Sequence, residues 1–139
     1  MPYDERFITP MRQELTRIGV QELRTPEEVD QVLAEAKEPT LLVVNSMCGC
    51  AARNARPGVA MALEASDKRP AKLTTVFAGQ DLQATARARE YITGYPPSSP
   101  SIALLKDGDV AFMLERHDIE GRSAQEIAQD LVNAFDRFC

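Results

Sequence analysis

Cys48, Gly49 and Cys50 stand at the end of an apolar run, in Leu41-Leu42-Val43-Val44-Asn45-Ser46-Met47-Cys48-Gly49-Cys50-Ala51-Ala52. A thiol pair at i and i+2, where a buried strand gives way to a helix, suits thiol–disulfide exchange. The strand delivers the sulfurs to the crevice outside the carboxyl edge of a parallel sheet. The helix start offers unpaired N–H groups and the positive end of the macrodipole, which favour a thiolate. Arg53 and Arg56, in the next turns, add positive potential. Cys48 is expected at the helix mouth as the more exposed, attacking thiol. Cys50, drawn into the first turn, is expected to resolve a mixed disulfide on Cys48. Gly49 tolerates the backbone angles that so small a ring demands. A bridge across one residue is expected to be strained and easily reduced, and to add little chain-entropy stabilisation.

Two other uses of these sulfurs compete with exchange chemistry. Free cysteines also serve as small buried hydrophobes. Cys48, Cys50, Cys139 and His117 would make a Cys₃His metal set, although zinc sites usually leave two to four residues between paired cysteines. The redox reading is preferred, and no metal is expected.

Composition narrows the setting. The 139 residues include three cysteines, an odd number that does not make a disulfide framework. Sixteen Lys and Arg against 21 Asp and Glu leave a net charge of −5, the wrong sign for a nucleic-acid binder. No run approaches the about 18 apolar residues of a membrane span, and Met1 to Arg6 does not resemble a secretory signal. A reducing, cytoplasmic setting is expected.

The elements that must position the dithiol are legible in the pattern. Thr9 as N-cap, Pro10 at the first helical position and Gly19 as a stop predict an entry helix. Val20 to Leu23 predicts a short edge strand. Thr25-Pro26-Glu27-Glu28 predicts a capping box opening a helix with Val29, Val32, Leu33 and Ala36 on one face. Leu41 to Val44 reads as a strand buried on both faces. Ala51 to Ala65 reads as a helix kinked near Pro57. Leu73 to Phe77 is a second internal strand, and Asp81 to Tyr91 a helix with Asp81 as cap. Ile102 to Leu105 and Val110 to Leu114, joined across Asp107-Gly108, form an antiparallel hairpin. Ser123 and Glu126 cap a last helix carrying Ile127, Leu131, Phe135 and Phe138. The predicted order is α-β-α-β-α-β-α-β-β-α, one α/β domain over residues 1–139 with a mixed sheet between helices.

This order, a dithiol at the first internal strand–helix junction and a Pro before the hairpin resemble the thioredoxin fold. The segments Val43 to Ala52, Phe77-Ala78-Gly79-Gln80-Asp81, Ser98-Ser99-Pro100-Ser101 and Arg116-His117-Asp118-Ile119-Glu120-Gly121, with the closing Cys139, resemble the bacilliredoxins over nearly the whole chain. The resemblance implies a thioredoxin-like sheet with an N-terminal helical extension. It also implies a thiol–disulfide oxidoreductase that takes bacillithiol off S-thiolated cytoplasmic proteins, as glutaredoxins do for glutathione, with weak disulfide isomerase activity in some members. A general disulfide reductase and a redox sensor using the same cysteines are the alternatives. No cofactor is implied; bacillithiol enters as substrate or co-substrate, and the partners are S-bacillithiolated proteins and a low-molecular-weight thiol.

By position Cys48 attacks and Cys50 resolves, and Pro100 matches the cis-proline whose loop lies beside the dithiol. The backbone of Ser99 would then pair with a substrate chain by strand addition. Gly49, Ser99, Pro100, Gln80 and Arg53 are the candidate substrate-binding residues. Gly79 and Asp81 are expected on the same sheet edge. Unlike thioredoxin, the strand before the dithiol carries no acid, so the thiolate depends on the helix terminus and nearby Arg residues. His117 is expected on the surface, away from Cys48, Arg122-Ser123 as an ordinary helix cap, and Cys139 as an idle thiol.

Overall fold

A run of four apolar residues can be buried on both faces only if helices cover both sides of the sheet. Leu41, Leu42, Val43 and Val44 have no solvent exposure at all. In the computed structural model, which describes residues 2–139, they form the middle of β2 (Thr40–Asn45). The other strands are β1 (Gln21–Glu22), β3 (Lys72–Phe77), β4 (Ser101–Lys106) and β5 (Asp109–Leu114). They lie in the order β1-β3-β2-β4-β5. β1, β3 and β2 run parallel, while β4 pairs antiparallel with β2 and with β5. This is the mixed sheet the pattern predicts, in the thioredoxin-like arrangement the resemblance implies.

Alternate residues of β2 feed two cores. Leu41 and Val43, with Ile102 and Leu104, pack beneath α3 (Arg56–Ala65) and α6 (Ala124–Phe138), against Val59, Ala62, Ile127, Leu131 and Phe135. Leu42 and Val44, with Val76 and Ala103, pack on the other face against α2 (Pro26–Leu33) and α4 (Leu82–Arg89). α3 and α6 approach so closely at Gly58 that a Cβ there would lie 2.7 Å from Ile127 Cγ2. The β4–β5 turn uses Asp107 and Gly108, both at positive φ (53° and 82°), as a hairpin of this hand requires.

Several local expectations are corrected. α1 spans Glu5–Thr16 and is capped by Asp4, whose side chain accepts from the Arg6 N–H. Thr9 is therefore not the cap: its hydroxyl donates to the Glu5 carbonyl, and Pro10 lies inside the helix. The interior proline is outweighed by anchoring, because Ile8 and Leu15 are fully buried and Arg12 meets three carboxylates. Arg12 Nε bonds Glu5 at 2.6 Å, and Nη1 bonds Asp81 at 2.6 Å and Glu22 at 3.0 Å, with the guanidinium over the Phe77 ring.

At α2 the Thr25 hydroxyl accepts from Glu28 N as predicted, but the Glu28 carboxylate accepts from Arg24 N, one residue beyond a standard box. The helix after the dithiol is not simply kinked. Ala51–Ala55 forms a π-helical turn, in which Arg56 N bonds the Ala51 carbonyl, and α3 starts with Pro57 in its first turn. Pro57 has no N–H to continue an α pattern backwards, so the widened turn lies directly upstream of it. A short helix absent from the predicted order, α5 (Arg116–Ile119), follows β5; Glu115 and Asp118 cap it reciprocally.

Candidate active site

The dithiol is placed by a buried polar bracket beneath it. Asn45 ends β2, and its side-chain oxygen accepts from Ser46 N at 2.9 Å and from Arg56 Nη1 at 3.0 Å. The same Nη1 reaches the Ser46 carbonyl at 2.9 Å. Arg56 is only 2% exposed, and its Nε faces Glu14 at 3.1 Å as an ion pair outside hydrogen-bonding angles. Arg56 therefore ties the strand end to α1 and does not point its charge at the sulfurs, as the spacing suggested. The Ser46 hydroxyl accepts from Cys48 N at 3.3 Å, and the Cys48 carbonyl caps Ala51 and Ala52 N–H.

The two sulfurs lie 2.9 Å apart. Both cysteines are half-buried, so exposure does not distinguish them as the sequence suggested; their electrostatics do. Partial burial pushes the Cys48 thiol up. Hydrogen bonds from the Cys50 thiol, the Ser46 hydroxyl and the Ala51 and Cys50 N–H groups outweigh it and bring Cys48 to about 7. Burial and the neighbouring Cys48 thiolate push Cys50 up, against the pull of Arg116. Of the two thiols, Cys48 is the one held toward its thiolate at neutral pH, and the thiolate is the reactive form.

A crevice of about 270 Å³ opens beside Cys48, between Ser46, Ala78, Gly79, Ser99, Arg116 and Tyr3. Ser99 and Pro100 are joined by a cis peptide bond. Ser46 and Ser99 line the crevice together, just past the last β2–β4 pair, Val44 opposite Ser101. Among the described residues the Ser99 N–H has no partner, while its carbonyl accepts from Arg116 Nη1 at 3.1 Å.

The family model for disulphide isomerases matches residues 3–139. A bacilliredoxin of Salinibacter ruber is 57% identical, the match covering 100% of this chain and 82% of that protein. Bacilliredoxins of Geobacillus kaustophilus and Koribacter versatilis are 50% and 51% identical, each match covering 99% of this chain and 94% of the relative. The chain belongs to the bacilliredoxin family. That membership and the dithiol together support thiol–disulfide oxidoreductase chemistry. Among the described residues no helix is long and apolar enough to cross a membrane.

The remaining candidates divide into those at the crevice and those turned away. Gly49 is exposed and is not among the glycines at positive φ. What its missing side chain permits is the approach of Arg53, whose Nη2 would lie 2.8 Å from a Cβ. Arg53 makes no ion pair among the described residues and carries its charge over the dithiol turn. Gly79 lines the crevice. Gln80 is turned to the N-terminal segment: its amide pairs both ways with the Tyr3 backbone, at 2.7 and 3.0 Å, and donates to Glu5. Asp81 occupies the cap position of α4 but makes no cap bond, because Arg12 takes both of its oxygens.

The His117 side chain is 73% exposed and, among the described residues, pairs only with Glu115 and Asp118, each at 3.6 Å. Arg122 is held by Asp130, and Ser123 caps α6. Cys139 follows α6, where Lys106 at the far end of β4 holds the Phe138 carbonyl. Ser101 starts β4 near the dithiol, so Cys139 lies a full strand length from Cys48, roughly 16 Å for six residues. The Cys₃His set is not brought together.

Three site residues escaped the sequence reading. Tyr3 walls the crevice from the N-terminal segment. Arg116 bonds Ser99 and, through Nε at 2.7 Å, Glu120. The Glu120 carboxylate lies 4.0 Å from Cys50 Sγ. The end of β5 therefore returns to the dithiol, contrary to the expectation that it does not. The reciprocal cap of Glu115 and Asp118 was the one local signal for the turn that brings it there.

Proposed function

We propose that this protein removes bacillithiol from S-thiolated proteins by a two-cysteine cycle in the cytoplasm. The observation that carries the reading is the pair of sulfurs 2.9 Å apart, with the Cys48 thiol at about 7, beside a crevice open to a substrate. The Cys48 thiolate attacks the bacillithiol sulfur of the mixed disulfide, and the protein thiolate leaves. Cys50 then attacks Cys48 Sγ, bacillithiol leaves as a thiolate, and a Cys48–Cys50 bridge remains. Two equivalents of a low-molecular-weight thiol reduce that bridge and close the cycle. The shared name of the relatives supports bacillithiol as the thiol removed. Arg53 and Arg116 offer guanidinium groups to a carboxylate-bearing thiol. The free Ser99 N–H supports docking of an extended protein segment by strand addition.

Turnover on one protein carrying either bacillithiol or glutathione tests the reading. Faster release of bacillithiol is expected, and equal rates on the two would remove the case for it. The family description favours a second reading, disulphide isomerase activity, which regain of activity by a scrambled disulfide protein measures directly.

A further inference from the structure

We propose that the Glu120 carboxylate is the proton acceptor for Cys50 in the resolving step, positioned by Arg116 and Asn54. This rests on the reading that Cys48 attacks and Cys50 resolves. The strand before the dithiol carries no acid, yet a carboxylate reaches the resolving sulfur from 70 residues away in sequence, with Glu120 Oε1 4.0 Å from Cys50 Sγ. Two contacts fix it there. Arg116 Nε donates to the same Oε1 at 2.7 Å. Asn54, on the π-helical turn that follows the dithiol, donates from its amide to the carbonyls of Ile119 (3.2 Å) and Arg122, the residues that flank Glu120 and Gly121. The cysteine turn and the carboxylate are thereby held as one unit. Arg116 also bonds the Ser99 carbonyl, so the guanidinium links the acceptor to the loop that walls the crevice.

The charged and titratable groups around Cys50 are Cys48, Arg116 and Glu120, with Arg53 over Gly49. A fixed negative charge beside a thiol that must ionise hinders it by charge alone. Glu120 assists only by taking the proton. When Cys48 carries a mixed disulfide, the Cys50 S–H proton passes to Glu120 and the Cys50 sulfur bonds to Cys48 Sγ. The bond from Cys48 Sγ to the substrate sulfur breaks, and its electron pair leaves with that sulfur as a thiolate. The substrate disulfide is reduced, the dithiol is oxidised, and Glu120 returns its proton to water. A separation of 4.0 Å before substrate binds is within the range that tightens in the reacting complex.

The test uses the full chain with Cys139→Ser, reduced and mixed with 5,5′-dithiobis(2-nitrobenzoate). Attack by Cys48 releases one coloured thiolate, and resolution by Cys50 releases a second, so the two steps appear as two phases. Glu120→Gln is expected to leave the first phase unchanged and to slow the second about 10²-fold at pH 7, the lower end for loss of a general base. The slowed phase should recover about tenfold per pH unit toward alkaline pH, as Cys50 ionises without help. Glu120→Asp should restore the flatter profile of the parent. A second phase that is unchanged or faster in Glu120→Gln overturns the role of Glu120, because charge removal alone would speed ionisation. Equal slowing of both phases overturns it too. Separately, with Cys139→Ser throughout, a Cys48→Ala chain that reacts with the reagent as fast as the Cys50→Ala chain would overturn the order of the cysteines and the proposed cycle.

Discussion

Replacing Ser46 with alanine should make Cys48 a weaker nucleophile at neutral pH while leaving its alkaline reactivity intact. The Ser46 hydroxyl accepts from Cys48 N at 3.3 Å, which leaves its own proton for the thiolate. A hydrogen bond to a charged group contributes about 1.5–3 kcal/mol, and one pKa unit corresponds to about 1.4 kcal/mol. Because the Cys50 thiol and two backbone N–H groups remain, the lower end applies. The Cys48 thiol should rise by about one unit from about 7. The thiolate fraction at pH 7 then falls from about one half to about one tenth, a roughly fivefold loss of rate. The sign is fixed: losing a donor to the anion raises the pKa, so the deficit is largest below pH 7 and vanishes above about pH 9.5. Iodoacetamide alkylation of the reduced chain, with Cys48 followed by peptide mass spectrometry from pH 5 to 10, reads both midpoints. Coincident midpoints for Ser46→Ala and the parent would refute the role of the hydroxyl. A parent midpoint of about 8.5, the ordinary value for a free cysteine, would refute thiolate stabilisation altogether.

The same depressed pKa links to folding. The folded value lies below the unfolded one, so the stabilisation is fully present above the unfolded value and lost as pH falls through about 7. Urea midpoints of the reduced parent and Cys48→Ser, compared at pH 6 and pH 9, should therefore diverge toward pH 9; a constant gap would contradict the linkage. Arg12→Met would leave Asp81 and Glu22, 10% and 18% exposed, with only the half-exposed Arg24, 3.9 Å from each. It should cost about 3 kcal/mol in chemical denaturation, the lower end for breaking a buried pair, without moving the Cys48 alkylation midpoint; a loss within the error of the fit would show Arg24 and water taking over the carboxylates. Gly58→Ala places a Cβ 2.7 Å from Ile127 Cγ2 and 3.3 Å from the Ala124 carbonyl. Overpacking of about 1–3 kcal/mol should outweigh the about 0.8–1 kcal/mol that alanine gains over glycine in a helix, so a raised Tm would disprove the close approach of α3 and α6.

What was legible in the sequence was what adjacent residues decide. The run Leu41 to Val44 announces a strand buried on both faces, the Asp107-Gly108 pair its hairpin, and Ser123 with Glu126 the start of α6, where both reciprocal bonds form. The dithiol at the β2 edge follows from the same pattern. Features set by distant partners were not legible. α1 starts at Glu5 and tolerates Pro10 because Arg12 draws carboxylates from three separate elements. Arg56 carries a charge at helical spacing from the cysteines, yet Asn45, Ser46 and Glu14 turn it inward. Gln80 sits on the correct sheet edge, and Tyr3 takes up its amide. Arg116 and Glu120 reach the sulfurs only because α5 folds back after β5, and no spacing within their own segment marks Cys50 as a neighbour.

The strand length that separates Cys139 from the dithiol also sets how copies of the chain can be joined by oxidation. A bridge between two Cys139 residues is isologous: it closes on itself, ends at two chains and leaves both dithiols facing outward. A bridge from Cys139 of one copy to Cys48 of the next is head-to-tail. Such an array keeps one free Cys48 at one end and one free Cys139 at the other, so the linkage propagates as an open string, and every bond in it occupies one Cys48.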